Sequence, residues 1–599
     1  MNDFAKVFPW LVVGAATLVL IFTMMPPSAG PAKMNLQEIA GIPVVHDGRM
    51  KPLDSVARTT MMTLSNRQEY KDENGKTQPA IKWLLDTMAD KESARRVQIF
   101  RIEYPPLLDQ LGLEARPLWW RYSFDELSKK AGLIVEHAKA ADEIKSDKRD
   151  IYQQKILELW NHLVVYIQVS RLKAPLMVPP VENGDQWQSL IQALEAEKHG
   201  AAPNSAVQSL EAILSAYGQD DVKTFNKVAA AYRKEMEKRF PTETSRTDFE
   251  AFFNHFEPFY QCTLLYLAVF LLCILSWFGW SRPLICTAFW LTVLSVLVHT
   301  WALLARMYLM NRWGVFVINL YSTAVFIGWA CVLLGLFLER LYPIGIGVVV
   351  ASVGGAGATL VSHHLAASGD TLGVLQAVLD TNFWLATHVT CMNLGYGATF
   401  VAGILGIIYL IRGVLTPSLD KSTAKALTTM LYGVICFATL LSFTGTVLGG
   451  IWADQSWGRF WGWDPKENGA VLIVIWNALI LHARWGGMVQ GRGMAVLSVA
   501  GNMITGWSYF GTNQLQVGLH SYGFSNTLAF GLVIFWAFHT VVLVAGLLPL
   551  HWWASHNALL LGKPRQVEDT PPPAEPPTGK RHGKRGSKRG DAGYFPGPA

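Results

Sequence analysis

Apolar and polar residues divide this chain into three regions. The sequence is polar and charged between about Lys33 and Glu257, becomes a series of apolar runs from Tyr260 to Leu548, and is rich in proline and basic residues after Lys563. With a further apolar run near the N-terminus, the pattern predicts four segments: a membrane anchor at 1–32, an extracytoplasmic soluble domain at 33–258, a membrane domain at 259–548 and a cytoplasmic tail at 549–599.

The apolar runs of the third segment have the length of membrane-spanning helices. Each can cross ~30 Å of hydrocarbon at ~1.5 Å per residue. The runs cover residues 260–279, 283–304, 316–338, 343–361, 389–411, 426–449, 468–485, 493–511 and 527–548. Together with the N-terminal run they predict an all-α polytopic membrane protein of about ten transmembrane helices, with a mostly helical exported domain between the first and the second.

The N-terminal run, Val7 to Met25, precedes a segment rich in proline. It could be a membrane anchor or a cleaved signal peptide. We expect an uncleaved anchor, and either alternative exports the polar region that follows. Within that region, apolar residues recur at helical spacing from Ile151 to Arg171. The segment from Gly48 to Asp54 suggests no chemical role.

Composition and charge agree with a membrane protein. Hydrophobic residues make up 51% of the chain and charged residues only 16%, a balance that needs lipid to cover it. Short basic links between the runs predict the inner side, and they contain Arg282, Arg340, Arg412, Lys421, Lys425, Arg484 and Arg492, followed by the tail with Lys580, Arg581, Lys584, Arg585, Lys588 and Arg589. The six cysteines form no CxxC pair, which argues against a disulfide framework or a zinc site.

A segment dense in aromatic residues lies between two of the apolar runs. Residues 452–467 read WADQSWGRFWGWDPKE, and the predicted topology makes this segment a loop at the outer membrane surface. Such rings can form an interfacial aromatic belt, since each combines an apolar body with a polar edge. Four tryptophans separated mostly by glycine and charged residues instead favour a flat apolar platform.

This segment resembles the tryptophan-rich WWD motif of the CcsA family of haem-handling cytochrome c biogenesis proteins. The residues that fit its form, WGxxWxWDPKE, are Trp457, Gly458, Trp461, Trp463, Asp464, Pro465, Lys466 and Glu467. The resemblance covers about 260–548 and departs from the family at Asn468 and Gly469, where Thr-Trp is usual, and at Ser322, where an acid is usual. It implies a role in the system II pathway, in which haem b is delivered for thioether attachment to an apocytochrome c CxxCH segment by a subunit acting with a ResB-type membrane protein.

Two histidines fall on the outer side beside the tryptophan-rich segment. His388 precedes one span, and His520 follows another, within a stretch ending at Gly523. Neutral imidazoles are good ligands for haem iron. The resemblance implies that His388 and His520 are the axial ligands of an external haem, with Trp457, Trp461 and Trp463 forming the apolar surface beneath it.

Charged residues of the motif suggest two roles. Asp464, Pro465 and Glu467 at the start of an apolar run have the pattern of an N-cap, a proline at N1 and a capping-box acid at N3. We therefore assign both acids a structural role. Lys466 and Arg459 are the candidate partners of the haem propionates, since cations bind carboxylates through charge-assisted hydrogen bonds.

A third histidine, His482, lies within a predicted span, where an ionisable group is a functional candidate. Counting from Asn468 at ~1.5 Å per residue puts it near the inner face. The resemblance implies that it binds a second, intramembrane haem whose other ligand comes from the ResB-type partner. Within the chain, His539 is the better substitute for that ligand, because His299 is poorly matched in depth.

Two other functions remain open at this point. One is a b-type cytochrome subunit that transfers electrons, which would favour histidine pairs at matched depth on facing spans. The other is a transporter that binds haem but takes no part in its covalent attachment to a cytochrome. We expect a multi-pass protein of the bacterial cytoplasmic membrane, surrounded by the lipid bilayer, and no nucleic-acid partner. No catalytic residue is predicted.

Overall fold

The structure is a computed structural model that describes residues 3–26, 33–117, 119–145, 148–181, 186–366, 369–373, 375, 379–515, 517–518, 520 and 526–561. The basic residues predicted for the tail lie outside this part of the chain. The helices up to the end of the polar region are α1 (Asp3–Met24), α2 (Leu36–Ala40), α3 (Leu53–Ser65), α4 (Ala80–Met88), α5 (Glu92–Arg96), α6 (Pro105–Leu111), α7 (Phe124–Ser128), α8 (Ala131–Asp142), α9 (Ile151–Ser170), α10 (Leu190–Lys198), α11 (Ser205–Gly218), α12 (Val222–Arg239) and α13 (Pro241–Phe256).

The remaining helices form a bundle of mostly long, apolar segments. They are α14 (Pro258–Phe278), α15 (Ser281–Met310), α16 (Leu320–Leu341), α17 (Ile346–Leu365), α18 (Asn382–Trp384), α19 (Thr390–Leu415), α20 (Lys421–Trp457), α21 (Pro465–Trp485), α22 (Gly491–Gly506), α23 (Thr512–Gln514), α24 (Asn526–Leu547) and α25 (His556–Leu561). The chain is therefore an all-α polytopic membrane protein, as predicted.

The polar region is mostly helical but also contains short strands, which the sequence analysis did not predict. They are β1 (Pro43–His46), β2 (Arg49–Pro52), β3 (Glu69–Lys71), β4 (Thr77–Pro79), β5 (Gln98–Arg101), β6 (Arg121–Ser123), β7 (Leu176–Val178) and β8 (Gln188–Ser189). Four of these strands form one antiparallel sheet in the order β2-β1-β7-β8. The strands are too short to show a clear alternation of apolar and polar residues, and this explains why they were missed.

A tight hairpin connects β1 to β2 in the segment that suggested no role. Asp47 and Gly48 form its two-residue turn, with φ of 51° and 77°. Two consecutive positive φ angles are typical of a type I′ turn, which glycine adopts without steric cost. The turn brings Arg49 and Lys51 of β2 to the edge of the polar region.

The polar region has a hydrophobic core of its own and is joined to the bundle through α13, where Phe253 packs in the same cluster as Phe259. Buried side chains from residues 39–236 form a single cluster, in which Trp83, Tyr122 and Phe225 are fully buried. One residue, Glu257 in the left-handed conformation, separates α13 from α14. The first helix, α1, packs on α15, where the rings of Trp10 and Trp290 lie 5.2 Å apart.

Nine helical segments of the described chain are long and apolar enough to cross a membrane. They match the predicted N-terminal run and eight of the nine later runs. The other run, 493–511, forms α22, which is continued by a π-helical turn at Trp507–Gly511 and by α23. It was predicted as a span of its own, and it packs between α19, α21 and α24.

Two π-helical turns interrupt the bundle helices. One covers Leu385–Val389 between α18 and α19, and the other is the turn at Trp507–Gly511. A π turn adds a residue to the helical repeat, so that the side chains after it point in a new direction, and such turns are frequent at functional sites. Sequence periodicity over a few residues does not predict them.

Candidate functional site

A cavity of about 210 Å³ lies at the end of the bundle where both π turns occur. Its walls come from the beginnings of α16, α19 and α21, the end of α20 and the segment that follows α23. His388 and His520 both line it, together with Trp452, Trp457 and Trp461. Two histidines that are far apart in sequence thus share one largely apolar cavity with the tryptophan-rich segment.

His388 lies on the first π turn and packs on α20. Its Nδ1 donates a hydrogen bond of 2.7 Å to the backbone carbonyl of Gly445, which leaves Nε2 as the atom with a free lone pair. The imidazole also covers Gly449, where an added Cβ would lie 2.5 Å from Cε1 of His388. Glycine at this position is therefore required by the close approach of the imidazole.

His520 is held by the motif itself. Its Nδ1 lies 2.5 Å from Oδ2 of Asp464, and its ring meets that of Trp457 edge to face at 5.3 Å. Gly518, with φ of 90°, brings the chain close to Asp464, where an added Cβ would lie 2.8 Å from Cβ of the aspartate. Residues 521–525, the rest of the stretch predicted around His520, lie outside the described residues.

Asp464 is also the N-cap of α21. Its carboxylate accepts hydrogen bonds from the backbone N–H groups of Lys466 and Glu467. The side-chain carboxylate of Glu467 in turn accepts a hydrogen bond from the backbone N–H of Asp464. The predicted capping box is therefore confirmed. Burial would raise the pKa of Asp464, but the hydrogen bonds from His520 and from the two backbone groups hold it at about 2.

The aromatic segment is less of a loop than predicted. Helix α20 continues through Trp457 and ends at Gly458, which has φ of 69°, so that only 458–464 is a loop. The apolar run does stop near Gly450, yet the helix extends beyond it because loss of hydrophobicity does not itself break hydrogen bonding. As a result Trp452 faces the cavity, and its ring lies 5.7 Å from that of His388.

The tryptophans of the motif differ in their contacts. Trp457 packs on His520, and Trp461 lines the cavity. Trp463 is 74% exposed and lies outside the lining of this cavity, although its ring meets that of Trp461 edge to face at 6.1 Å. Trp463 therefore lies at the rim of the cavity, unlike the other two tryptophans.

Both predicted propionate partners have contacts within the protein. Nζ of Lys466 donates to the carbonyl of Tyr509 at 2.8 Å and to Oδ1 of Asn513 at 3.2 Å, and the residue lines the cavity. The Arg459 guanidinium lies 3.7 Å from Glu467 and does not line this cavity. Lys466 thus ties α21 to the second π turn, whereas Arg459 lies against the loop.

Other histidines of the bundle differ in accessibility. His482 is exposed on α21, and its Nδ1 donates to the carbonyl of Ala478 at 2.8 Å, so that Nε2 points away from the helix backbone. His539 is buried, and its Nε2 lies 3.4 Å from the side-chain amide of Asn502. His299 is fully buried, with hydrogen bonds to Tyr266 and to the carbonyl of Val325.

Several residues of the cavity carried no recognised signal in the sequence. They include Asn393, Tyr396 and Tyr509, which are polar or aromatic positions within long apolar runs. The pair Gly449 and Gly450 could have been found, because two adjacent glycines in an apolar helix indicate a close approach. Phe460 packs on the second of them, where an added Cβ would lie 2.5 Å from its ring.

All six cysteines are free, as expected from their spacing. Ser322 completes a capping box with Asn319 at the start of α16. The position at which an acid is usual therefore has a structural role in this chain, and Asn319 itself lines the cavity.

Comparison with known proteins identifies relatives of the bundle. The family model described as cytochrome C assembly protein matches residues 317–520, a range that contains both histidines of the cavity. CcsA from a Synechococcus species is 31% identical over 306 residues, which are 44% of this chain and 98% of that protein. CcsA from Chlamydomonas reinhardtii is 31% identical over 221 residues, or 35% of this chain and 61% of that protein.

A longer match extends into the polar region. Protein NrfI from Wolinella succinogenes is 26% identical over 497 residues, which cover 79% of this chain. The chain spans about half of NrfI, 53% of its length. Because the chain covers nearly all of a CcsA protein at 31% identity, it belongs to the CcsA family of cytochrome c biogenesis proteins.

Proposed function

We propose that this chain delivers haem b and presents it for covalent attachment to apocytochrome c, as a subunit of a cytochrome c synthase. The observation that carries the proposal is that His388 and His520 line one cavity, each with Nδ1 engaged within the protein. Both Nε2 atoms are therefore available as ligands for a single iron.

The residues around the two histidines fit a bound porphyrin. Indole rings on the cavity wall supply an apolar surface for a flat macrocycle, and Lys466 on the same wall is the proposed partner of a haem propionate. Asp464 fixes the tautomer and the ring orientation of His520, as carboxylates do for ligating histidines.

The attachment reaction needs no oxidant. In each of two thioether bonds, a cysteine S–H of the CxxCH segment adds across a vinyl group, sulfur bonding to one carbon and the proton going to the other. The chain's contribution is to hold the haem with its vinyl groups accessible. We place this site, together with the polar region, on the extracytoplasmic side of a bacterial cytoplasmic membrane.

A ResB-type membrane protein is the proposed partner. His482 has a free Nε2 on an exposed face of α21, where a facing protein could supply the second ligand of an intramembrane haem. The alternative of a b-type electron-transfer subunit lacks such support, because the two histidines of the cavity lie at the helix ends rather than within facing spans. A haem transporter is the second candidate function, and the experiment below separates it from the synthase subunit.

The test of this function is maturation of a c-type reporter. The chain is coexpressed with the ResB-type partner and an exported CxxCH reporter in cells without other cytochrome c maturation proteins. We expect haem that stays on the reporter after denaturation. Haem that binds to the chain without reaching the reporter would favour the two alternatives.

A further inference from the structure

The loop between α17 and α18 is tied to the polar region by a buried ion-pair cluster. Asp370 lies in this loop, and its Oδ2 is 2.7 Å from Nε of Arg49 and 2.7 Å from Nζ of Lys51. Lys51 is fully buried. The cations hold the pKa of Asp370 well below its usual range, although burial alone would raise it. These contacts join β2 directly to the bundle.

Arg49 holds a second carboxylate at the same time. Its Nη1 and Nη2 donate to Glu250 of α13 at 2.8 and 2.7 Å, while Nε and Nη2 donate to Asp370 at 2.7 and 3.1 Å. A planar guanidinium can bridge two carboxylates in this way, but a lysine ammonium is a single point charge and cannot reproduce both pairs. The cluster therefore fixes the loop in position as well as attracting it.

From Asp370 onward the loop approaches the cavity. The carbonyl of Thr371 accepts hydrogen bonds from Arg306 at 2.7 Å and from Asn319 at 2.8 Å. Asn319 lines the cavity that contains His388. Leu375 and Leu379, further along the same loop, line it too.

The loop then leads into the π turn that carries His388. Leu372 packs in the same buried cluster as Val317, a cavity-lining residue, and Val389, at the end of the π turn, contacts this cluster. A path of described contacts thus runs from β2 through Asp370, Thr371 and Leu372 to the cavity-lining residues Asn319 and Val317. No described element intervenes along it.

We propose that Arg49 and Lys51 are positioning residues for the haem cavity, acting through Asp370 on the loop that forms part of its wall. This inference rests on the proposed function, and it gives the polar region a role: its β1–β2 hairpin sets the geometry of the site. It also explains why the segment from Gly48 to Asp54 combines a tight turn with two cations that pair with Asp370.

The experiment uses the full chain, purified in detergent from haem-producing cells. Its variants are Arg49→Lys, Lys51→Met and Asp370→Asn, with Lys82→Met as the matched control. Lys82 pairs with buried Asp86 at 2.9 Å within the polar region, so its loss weakens that region without touching the loop. Haem per monodisperse chain and the haem absorption spectrum are measured, each with and without added imidazole.

We expect Arg49→Lys and Lys51→Met to lower haem per folded chain several-fold and to change its spectrum, with recovery by imidazole, while Lys82→Met keeps wild-type values. The double variant Lys51→Met with Asp370→Asn should be no worse than Asp370→Asn alone, since Lys51 acts on the loop through Asp370. If Lys51→Met does not accumulate, Arg49→Lys decides, because it keeps the charge.

Wild-type haem content and spectrum in Arg49→Lys and Lys51→Met would overturn the proposal. The variant His388→Ala, measured beside them, separates this result from failure of the proposed function. If His388→Ala loses haem and the cluster variants do not, only the positioning role is wrong. If His388→Ala also keeps its haem unchanged, the proposed site itself is wrong, and the positioning role is overturned with it.

Discussion

Nδ1 of His520 lies 2.5 Å from Oδ2 of Asp464, the residue that also caps α21. One carboxylate therefore fixes both the start of a helix and the orientation of a histidine 56 residues further along the chain. This double use explains how a motif with the pattern of a helix start can also hold one of the two histidines of the cavity. A substitution at Asp464 that keeps the helix cap but removes the charge can therefore alter the contact with His520 with little change in the fold.

Asp464→Asn should weaken haem binding while the helix start stays intact. Asparagine is as good an N-cap as aspartate, but it cannot provide the charged partner of His520. Loss of such a partner typically costs about 10–100-fold in affinity, which haem titration of the purified chain measures. Binding equal to that of the wild type would mean that Asp464 acts on the helix alone.

Gly449→Ala should displace the imidazole of His388 without removing it. The added Cβ would lie 2.5 Å from Cε1 of the ring, closer than real contacts allow. Gly433→Ala, on the same helix with no atom within 4 Å of its added Cβ, is the matched control. We expect a lower haem content and a changed spectrum in the first variant only; the same result in both would point to a general effect on α20.

Trp452→Ala and Trp457→Ala should each lower haem content more than Trp463→Ala. The first two rings contact His388 and His520, whereas Trp463 is largely exposed at the rim. Haem per purified chain is again the measurement. Equal losses from all three substitutions would support an aromatic belt at the membrane surface in place of a ligand platform.

His482→Ala and His539→Ala should differ in their effect on the second haem. His482 has a free Nε2 on an exposed face, while the ring of His539 is buried and contacts Asn502. With the ResB-type partner present, the first variant should lose the intramembrane haem and the second should change its spectrum little. A chain that holds two bis-histidine haems without the partner, one of them lost in His539→Ala, would contradict this assignment.

Asp370 predicts a pH dependence of stability. Because its folded pKa is depressed by Arg49 and Lys51, the stability it contributes is fully present above the usual aspartate value of ~3.9 and is lost as pH falls through the lower folded value. Asp370→Asn should thus lower the melting temperature at pH 7, because leaving the buried Lys51 without its partner typically costs about 3–5 kcal/mol. The difference from the wild type should shrink only below about pH 4; a difference that already disappears at pH 6 would contradict the ion-pair account.

The features that sequence alone could predict are those with a local pattern. Apolar runs predicted the membrane helices, and Asp464 with Pro465 and Glu467 predicted the start of α21. Both features depend on residues that are close together in the chain. The second role of Asp464 depends on a contact with His520, which local spacing does not encode. For the same reason the cluster of Arg49, Lys51 and Asp370 was not predicted, although Arg49 and Lys51 belonged to a segment that was noticed.

The directions in which side chains point were also not predicted from the sequence. Trp452 belongs to the predicted aromatic segment, but its contact with His388 depends on α20 continuing past the apolar run. His388 reaches the cavity through a π turn, and a five-residue turn leaves no periodic signal of its own. Several residues singled out in the sequence, among them His388, His520 and Trp461, line the cavity, whereas their arrangement was not predicted.

Covalent haem on an exported CxxCH reporter, measured on denaturing gels, tests the central claim most directly. The chain is coexpressed with a ResB-type partner in cells that lack other maturation proteins, beside a His388→Ala/His520→Ala double variant and a Trp463→Ala variant. The account predicts labelled reporter with the wild type, strong labelling with Trp463→Ala and none with the double variant. Labelling by the double variant at the wild-type level, in membranes that contain equal amounts of both proteins, would contradict it.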